Sequence, residues 1–281
     1  MKSEIIKMAD TLGISEIGFV SAEAFEKKEI YSSSEFAKSK VMTNVSEIMC
    51  DAKTIIVWLA PYRPKTLPGN LSLYAMGKDY HLVCSEYSEK ICNLLRDKGY
   101  KAIHMTDDNP LCERELARDA GLGSIGNNGF LINPRFGSYV FISCIITDCF
   151  IEASEKKDNG CSGCGLCFSA CPGGALTKEG FDEKKCASYI TQKKGELTES
   201  ECSIIKKSGS VWGCDICQNV CPMNKNTEYT NFYAFSENLI TSIKPEELSG
   251  RQFRKKYAER AFSWRGKAVL DRNMLILNEK K

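Results

Sequence analysis

The chain has 281 residues and a formal net charge of +2, from 38 lysines and arginines against 36 aspartates and glutamates. This balance excludes a protein that binds polyanions by overall charge, and the length suffices for one large domain or two smaller ones. We recognise no secretory or transit signal, and the longest apolar run, TIIVWLAP, is too short to span a membrane. Fifteen cysteines are the unusual feature. We therefore expect a cytoplasmic protein, in which dense cysteines indicate metal binding more often than disulfides.

The first 150 residues alternate between helical and strand-like patterns. Apolar residues at helical spacing, ending at or near glycine, predict helices over 3–12, 81–99 and 111–123. Runs of β-branched and aromatic residues predict strands over 16–22, 54–60 and 101–105. Residues 130–148 predict two more strands joined at the turn residues NPRFG. These elements predict an α/β (α+β) domain over 1–150.

The rest of the chain has a different pattern. Residues 151–230 carry clustered cysteines with little periodicity, as expected where a metal supplies much of the folding energy. Helical patterning returns over 231–281. We therefore predict three segments: an α/β domain over 1–150, a ferredoxin-like domain over 151–230 and a helical basic segment over 231–281.

Two cysteine motifs indicate iron–sulfur clusters. CSGCGLCFSACP, residues 161–172, has the C-x2-C-x2-C-x3-C-P spacing in which three thiolates hold one 4Fe–4S cluster and the fourth ligates a second. CDICQNVCP, residues 214–222, supplies three more cysteines. A pair of zinc sites is the alternative, but this spacing followed by a second Cys-Pro motif is not typical of zinc ribbons. The sequence predicts two 4Fe–4S clusters.

The motifs contain seven cysteines, so the eighth ligand must come from Cys186 or Cys202 between them. Exchange of the fourth ligands gives one cluster the thiolates of Cys161, Cys164, Cys167 and Cys221. The other cluster takes Cys171, Cys214, Cys217 and one intervening cysteine. We favour Cys186, because EKKCASYI leads into a structured segment, whereas Cys202 lies in a polar stretch resembling a surface helix. The remaining cysteines are expected to be plain buried thiols: Cys50, Cys84, Cys92, Cys112, Cys144, Cys149 and Cys202.

A glycine-rich stretch, AGLGSIGNNG, matches the letters G-x-G-x-x-G at Gly121, Gly123 and Gly126. A dinucleotide site needs a strand before these glycines and a helix after them. Here a predicted helix precedes them and a predicted strand follows. The order argues against nicotinamide binding and leaves a loop whose backbone can approach a large ligand closely.

Polar residues lie at two predicted helix starts. Asp107 or Asp108, followed by Asn109 and Pro110, can cap the helix that begins near Leu111. The triplet Asp79, Tyr80 and His81 leads the helix over 81–99. Neither stretch forms a nucleophilic triad, and capping is the simpler interpretation of the Asp107 pattern by itself.

Taken together, the motifs resemble those of epoxyqueuosine reductases from about residue 55 to about residue 275. YAMGKDYH, DDNPLCERELARDAGLGSIGNNGFLI, the first cysteine motif, KKCASYIT and GCDICQNVCPMN occur in that family's order. The resemblance implies two 4Fe–4S clusters, cobalamin, and the last step of queuosine synthesis on tRNA. It implies that 1–150 is a nitroreductase-like or flavin-reductase-like domain that binds corrinoid and substrate. It also assigns Cys186 to the second cluster.

The resemblance further implies roles for individual residues. Asp107, three residues before Pro110, matches the family's proton donor, and a desolvated site or a neighbouring negative charge such as that of Asp108 would keep its carboxyl protonated. The residues expected at the cofactor are Asp79, Tyr80, His81, Gly121, Gly123, Ser124, Gly126, Ser188, Tyr189 and Asp215. The corrinoid signature D-x-H-x-x-G is absent after Asp79, so base-off cobalamin is expected. Reduced flavodoxin or ferredoxin would supply electrons through both clusters.

The chain departs from the family pattern in two places. Ser124 and Asn127 stand where members usually have Trp and Lys, and members usually continue into a HEAT-like helical module, so we expect a short form. Residues 241–281 carry eleven Lys and Arg against five Asp and Glu. Their aromatics either help to hold an RNA backbone or pack on the core: Phe253, Tyr257, Phe262 and Trp264. The alternative functions are a corrinoid iron–sulfur reductase of a non-tRNA substrate, similar to reductive dehalogenases, and a two-cluster electron carrier.

Overall fold

The computed structural model describes residues 1–26, 45–107, 109–157, 160–248 and 250–279. Asp108, the neighbouring charge suggested above, lies outside the described residues. The chain forms two compact units, one from 1–61 and 81–163, the other from 62–80 and 164–281. The division into three segments stays a prediction.

An antiparallel four-stranded sheet lies at the centre of the first unit, in the order β1-β2-β6-β3. Its strands are β1 (Ile17–Ser21), β2 (Thr54–Pro61), β3 (Ala102–Met105) and β6 (Val140–Thr147). Every residue of β2 is buried, because this strand is flanked by β1 and β6 and its sequence is almost wholly apolar. The strands predicted at these positions are confirmed.

Helices cover the sheet and complete the core of the first unit. They are α1 (Lys2–Thr11), α2 (Ala22–Glu26), α3 (Tyr80–Asp97) and α4 (Glu113–Asp119). Leu116 and Ala117 of α4 belong to the same buried cluster as Ile55, Val57 and Leu59 of β2. This packing fixes the N-terminal end of α4, which carries the site described below.

The stretch between α4 and β6 forms a short hairpin of β4 (Ser124–Ile125) and β5 (Leu131–Ile132). The two strands predicted within 130–148 are both present, but they pair with different partners: β5 with β4, and β6 with β2 and β3. NPRFG closes a tight turn in which the amide of Asn133 donates to the carbonyl of Gly137 at 2.9 Å.

The second unit consists of short helices and irregular segments. Its α-helices are α5 (Leu166–Ala170), α6 (Ala187–Gln192), α7 (Glu199–Ser208), α8 (Ile216–Asn219), α9 (Tyr233–Ser236), α10 (Gly250–Tyr257) and α11 (Lys267–Asn278). Asn273 of α11 is fully buried, and its side-chain amide donates to the carbonyls of Thr191 at 2.7 Å and Val211 at 2.8 Å. A buried side chain thus satisfies one carbonyl at the end of α6 and one carbonyl of an irregular segment.

The C-terminal aromatics divide between the two expected arrangements. Phe253, Tyr257 and Phe262 are buried, as the packing alternative predicts. Trp264 is 64% exposed, and the guanidinium of Arg265 stacks on its ring at 3.8 Å. In the described part of the chain, no helix combines the length and apolar character that crossing a membrane requires.

Candidate active site and cluster ligands

Asp107 occupies a turn directly after β3 in the first unit. Its φ of +49° is in the left-handed region that residues other than glycine seldom adopt. Its side chain is 59% exposed, and the carboxyl Oδ2 lies 3.8 Å from Nε2 of His81 in the first turn of α3. The turn therefore presents a carboxyl beside an imidazole, two groups that can hold or transfer a proton.

Glu113, at the start of α4, holds this turn. One of its carboxyl oxygens accepts hydrogen bonds from the backbone amide of Asp107 at 2.8 Å and from Nδ2 of Asn109 at 2.7 Å. Asn109 also donates to the Asp107 carbonyl at 2.8 Å and accepts from the amide of Leu111 at 2.9 Å. Burial, followed by the nearby charge of Asp107, raises the pKa of Glu113 from 4.5 to about 7.

The capping interpretation of Asp107 is wrong. The residue at the N-cap of α4 is Cys112, whose side chain makes no capping hydrogen bond. Sequence reasoning also missed Glu113. An acid in the first turn of a helix, six residues after the candidate acid and next to a predicted core, was the available signal.

Close backbone packing within the first unit leaves no room for a side chain at Gly121 and Gly123. A Cβ on Gly121, whose φ is +75°, would lie 2.2 Å from the carbonyl oxygen of Glu155. A Cβ on Gly123 would lie 2.4 Å from the carbonyl oxygen of Ile132. The hairpin of β4 and β5 follows, and Ser124 is buried in β4. Because a hairpin replaces the helix that a dinucleotide site needs, the structure agrees with the argument against nicotinamide.

Asn128, in the loop of this hairpin, carries an unsatisfied polar group. Its side-chain oxygen accepts from the amide of Phe130 at 3.3 Å, and the residue is buried. Its Nδ2 is buried and has no hydrogen-bond partner within the described residues. Buried donors without partners are rare in native proteins, so this amide is suited to a polar group of a bound ligand.

In the second unit, the structure brings together the four cysteines predicted to share one cluster. Burial raises the pKa of Cys217, and the charges of Cys214, Cys186, Cys171 and Cys167 raise it further. Burial likewise raises the pKa of Cys214 to about 11, with contributions from Cys186 and Cys171. Cys171, Cys186, Cys214 and Cys217 are the members of the favoured ligand set, and Cys167 belongs to the other predicted set, so the assignment of ligands stays a prediction. Cys202 lies on α7 near the guanidinium of Arg272.

Backbone amides point at the sulfurs of this set. The amide of Ala175 donates to Sγ of Cys171 at 3.2 Å. Burial raises the pKa of Cys186, and hydrogen bonds from the amides of Tyr189 and Ser188 offset part of that rise. Such amides stabilise thiolates and tune the potential of a cluster. Within the described part of the chain, no three His, Cys, Asp or Glu side chains are placed to hold a single metal ion.

The other cysteines are distributed as follows. Cys161 belongs to the first unit, whereas Cys164, Cys167 and Cys221 belong to the second, so their shared cluster stays a prediction. Among the cysteines outside the motifs, the expected burial is confirmed for Cys84, Cys92, Cys144 and Cys149. Cys112 and Cys202 are partly buried. The expectation is wrong for Cys50, which is exposed because it lies in the turn before β2.

The remaining predicted cofactor residues have structural partners of their own. Asp215 is buried, and its carboxylate accepts from the hydroxyl of Ser72 and from the amide of Leu73 at 2.7 Å. Burial raises the pKa of Asp215. In the first turn of α6, Ser188 is partly buried and Tyr189 is exposed. The cofactor contacts expected of Asp79, Tyr80, Ser188, Tyr189 and Asp215 stay predictions.

An antiparallel α+β unit and two ferredoxin-like cysteine motifs define a double-cluster iron–sulfur protein. Residues 160–224 match a family model described as a 4Fe-4S double cluster binding domain. Residues 43–107 match a model described as "Epoxyqueuosine reductase QueG, DUF1730". The epoxyqueuosine reductase of Bacillus cereus is 32% identical to this chain, over 98% of this chain and 79% of the relative. The chain belongs to the epoxyqueuosine reductase family, and the prediction of two 4Fe–4S clusters is confirmed.

Solved structures of epoxyqueuosine reductases are similar to this one. One, described as holding a tRNA-Tyr epoxyqueuosine-modified stem loop, has 28% identity and a TM-score of 0.84, with 98% of this chain and 80% of that chain covered. Another, from Bacillus subtilis, is described with its catalytic aspartate loop swung out of the active site. It has 27% identity and a TM-score of 0.79, with 98% of this chain and 80% of that chain covered. The expected mixed α/β fold with a double-cluster domain is confirmed.

Proposed function

We propose that this protein reduces epoxyqueuosine in tRNA to queuosine. The observation that carries the proposal is the match to enzymes of that name along 98% of the chain. The reaction takes up two electrons and two protons, breaks both C–O bonds of the epoxide, forms a C=C bond and releases water. The protein must therefore deliver electrons singly, hold a reducing cofactor and supply protons.

The eight thiolates of two clusters are assigned to two sets. Cys171, Cys186, Cys214 and Cys217 bind one cluster, which their mutual electrostatic interactions support. The other set is Cys161, Cys164, Cys167 and Cys221, assigned from the spacing of the motifs.

Cobalamin is the cofactor that membership in this family implies. When bound, it supplies a strong reductant for the carbon–oxygen framework of the epoxide. The residues proposed to hold it in the first unit are His81 and the glycine-rich stretch from Gly121 to Gly126. The unsatisfied Nδ2 of Asn128 fits a polar group of such a ligand. We also propose contacts from Asp79, Tyr80, Ser188, Tyr189 and Asp215, and base-off cobalamin, because the corrinoid signature D-x-H-x-x-G is absent after Asp79.

Asp107 is the proposed proton donor. Its exposed carboxyl donates a proton to the epoxide oxygen as the C–O bond breaks, and the second proton, required for water to leave, comes from solvent. His81, 3.8 Å away, is placed to hold the carboxylate that remains. The proposed roles of both residues depend on the turn that Glu113 holds.

The proposal includes partners and setting. The basic C-terminal segment, with exposed Trp264, is suited to the backbone of tRNA. Flavodoxin or ferredoxin is the proposed electron donor, and the cytoplasm, where tRNA is modified, the proposed location. The first unit is proposed to be a nitroreductase-like or flavin-reductase-like domain, which its antiparallel sheet and covering helices support.

The activity is tested anaerobically with reconstituted clusters, cobalamin, a chemical reductant and tRNA that carries epoxyqueuosine. Nucleoside mass spectrometry should show the loss of one oxygen atom. Asp107→Asn should lower the rate by about 100-fold or more, whereas Asp10→Asn, an exposed aspartate of α1, should not. Absence of conversion by wild-type protein with full clusters and bound corrinoid would contradict the proposed substrate.

The ligand assignment is tested with a matched pair of cysteine variants. Cys186→Ser should reduce the iron content from about eight to about four atoms per chain, because one cluster loses a ligand. Cys202→Ser should leave the iron content unchanged. The reverse result would assign the eighth ligand to Cys202.

A further inference from the structure

The turn that carries Asp107 is anchored on both sides. Before it, the hydroxyl of Thr106 makes a 2.7 Å hydrogen bond with the hydroxyl of Ser143 on the buried strand β6. After it, Glu113 accepts from the Asp107 amide and from Asn109. The left-handed backbone at Asp107 is unfavourable for a residue with a Cβ, so these bonds offset a conformational cost. An exposed carboxyl on a constrained backbone has a defined position.

Glu113 accepts directly from the backbone amide of Asp107, and it also holds Asn109, whose side chain donates to the Asp107 carbonyl. A carboxylate is an acceptor without donors of its own, so it matches the two N–H donors that converge on it. Bonds from N–H donors to an ionised carboxylate are stronger than bonds to a neutral oxygen. The charged and titratable groups around Glu113 are Asp107 across the turn, Arg114 on the same helix and Cys144 on β6.

We propose that Glu113 is a positioning residue for proton transfer: its carboxylate fixes the Asp107 turn and thereby directs the Asp107 carboxyl at the substrate oxygen. The inference rests on the proposed role of Asp107 as proton donor. Glu113 itself touches neither substrate nor cofactor in this mechanism. It acts through the backbone of Asp107 and through Asn109.

The first test measures the turn directly, by amide hydrogen exchange of peptides that contain residues 105–111. Glu113→Ala should speed exchange at the amide of Asp107 by about tenfold or more, because its hydrogen bond is lost. Glu115→Gln is the matched control, since Glu115 lies in the same helical turn and pairs with Arg118. Unchanged exchange in Glu113→Ala would overturn the proposal. This result does not depend on the substrate, so it is separate from a failure of the proposed function.

The second test measures turnover of epoxyqueuosine tRNA. Glu113→Ala should lower kcat by about 10- to 100-fold and leave KM for tRNA within about twofold, because misplacement of an acid affects the chemical step. Glu113→Gln, which keeps an acceptor oxygen, should retain more of kcat. It should also lose the change in kcat near pH 7 that ionisation of Glu113 gives the wild type.

A double-mutant cycle separates positioning from general damage. In an Asp107→Asn background, Glu113→Ala should cause little further loss of kcat, because a positioning residue acts only through the group that it positions. A full additional loss there, or an unchanged kcat in Glu113→Ala beside active wild type, would overturn the proposal. Iron content and bound cobalamin should match the wild type, which shows that each variant is folded and loaded.

Discussion

A buried chain of hydrogen bonds links the core of the first unit to the Asp107 turn. Nε1 of Trp58 donates to the hydroxyl of Ser88 at 2.9 Å, and the Ser88 hydroxyl contacts that of Ser143 at 3.0 Å. The Ser143 hydroxyl also contacts Thr106 at 2.7 Å, the residue before Asp107. The side chains of Trp58, Ser88 and Ser143 are fully buried. We predict that Ser88→Ala destabilises the protein.

The magnitude follows from what the substitution leaves behind. The buried indole N–H of Trp58 would lose its hydrogen bond to Ser88, which costs about 1–3 kcal/mol. Ser143 would keep the carbonyl of Met105 at 3.3 Å and the hydroxyl of Thr106 as partners. We therefore expect a loss of about 2 kcal/mol, or about 4–8 °C in Tm for a protein of this size.

The assay is anaerobic thermal unfolding with intact clusters, followed by circular dichroism. Ser85→Ala is the control, because Ser85 lies one turn earlier on α3 and is only partly buried. Adding Trp58→Phe to Ser88→Ala should cost less than the two single changes combined, since both partners of one hydrogen bond are then removed. Equal melting temperatures for Ser88→Ala and Ser85→Ala would refute the reasoning.

Three further predictions concern stability. Because the pKa of Glu113 is raised from 4.5 to about 7, the folded wild type loses stability as the pH rises through that interval. Glu113→Gln lacks this ionisation, so its free energy of unfolding relative to wild type should increase between about pH 5 and about pH 8, by at most about 3 kcal/mol. Urea titrations at several pH values measure this difference. A pH-independent difference would contradict this. Asn273→Ala removes the donor to two buried carbonyls and should cost about 2–4 kcal/mol in thermal unfolding; a loss below about 0.5 kcal/mol would count against it. Gly121→Ala should destabilise the protein far more than Gly195→Ala. The two glycines have similar φ angles, but of the two only Gly121 faces a backbone carbonyl. Equal yields of folded protein for the two variants would disprove the packing argument.

The sequence predicted what depends on local pattern. The strand over 54–60 was recognisable because a strand with neighbours on both sides needs a continuous apolar run, and β2 has one. The two cluster motifs were recognisable because cluster ligation fixes short spacings. Cys186 was separable from Cys202 only by its context, and the choice between them stays a prediction.

What the sequence did not predict depends on contacts between distant segments. The glycines at 121 and 123 suggested an approach to a ligand, but the groups that exclude a side chain there are carbonyls of Glu155 and Ile132. Burial of the C-terminal aromatics depends on helix packing that periodicity leaves open. Glu113 was missed because its carboxyl has a function only once the Asp107 turn folds back on the start of α4.

The network around Asp107 separates two tasks that one carboxyl cannot perform together. A proton donor must be accessible to its substrate, and Asp107 is exposed. A group that holds a strained turn must be shielded from competing water, and Glu113 and Ser143 are the more buried groups on either side of that turn. Buried polar groups are costly unless they are hydrogen-bonded, and here Ser143 bonds to the hydroxyl of Thr106, while Glu113 accepts from the Asp107 amide and from the side chain of Asn109. Such an arrangement is expected where the position of that acid determines the rate of the reaction.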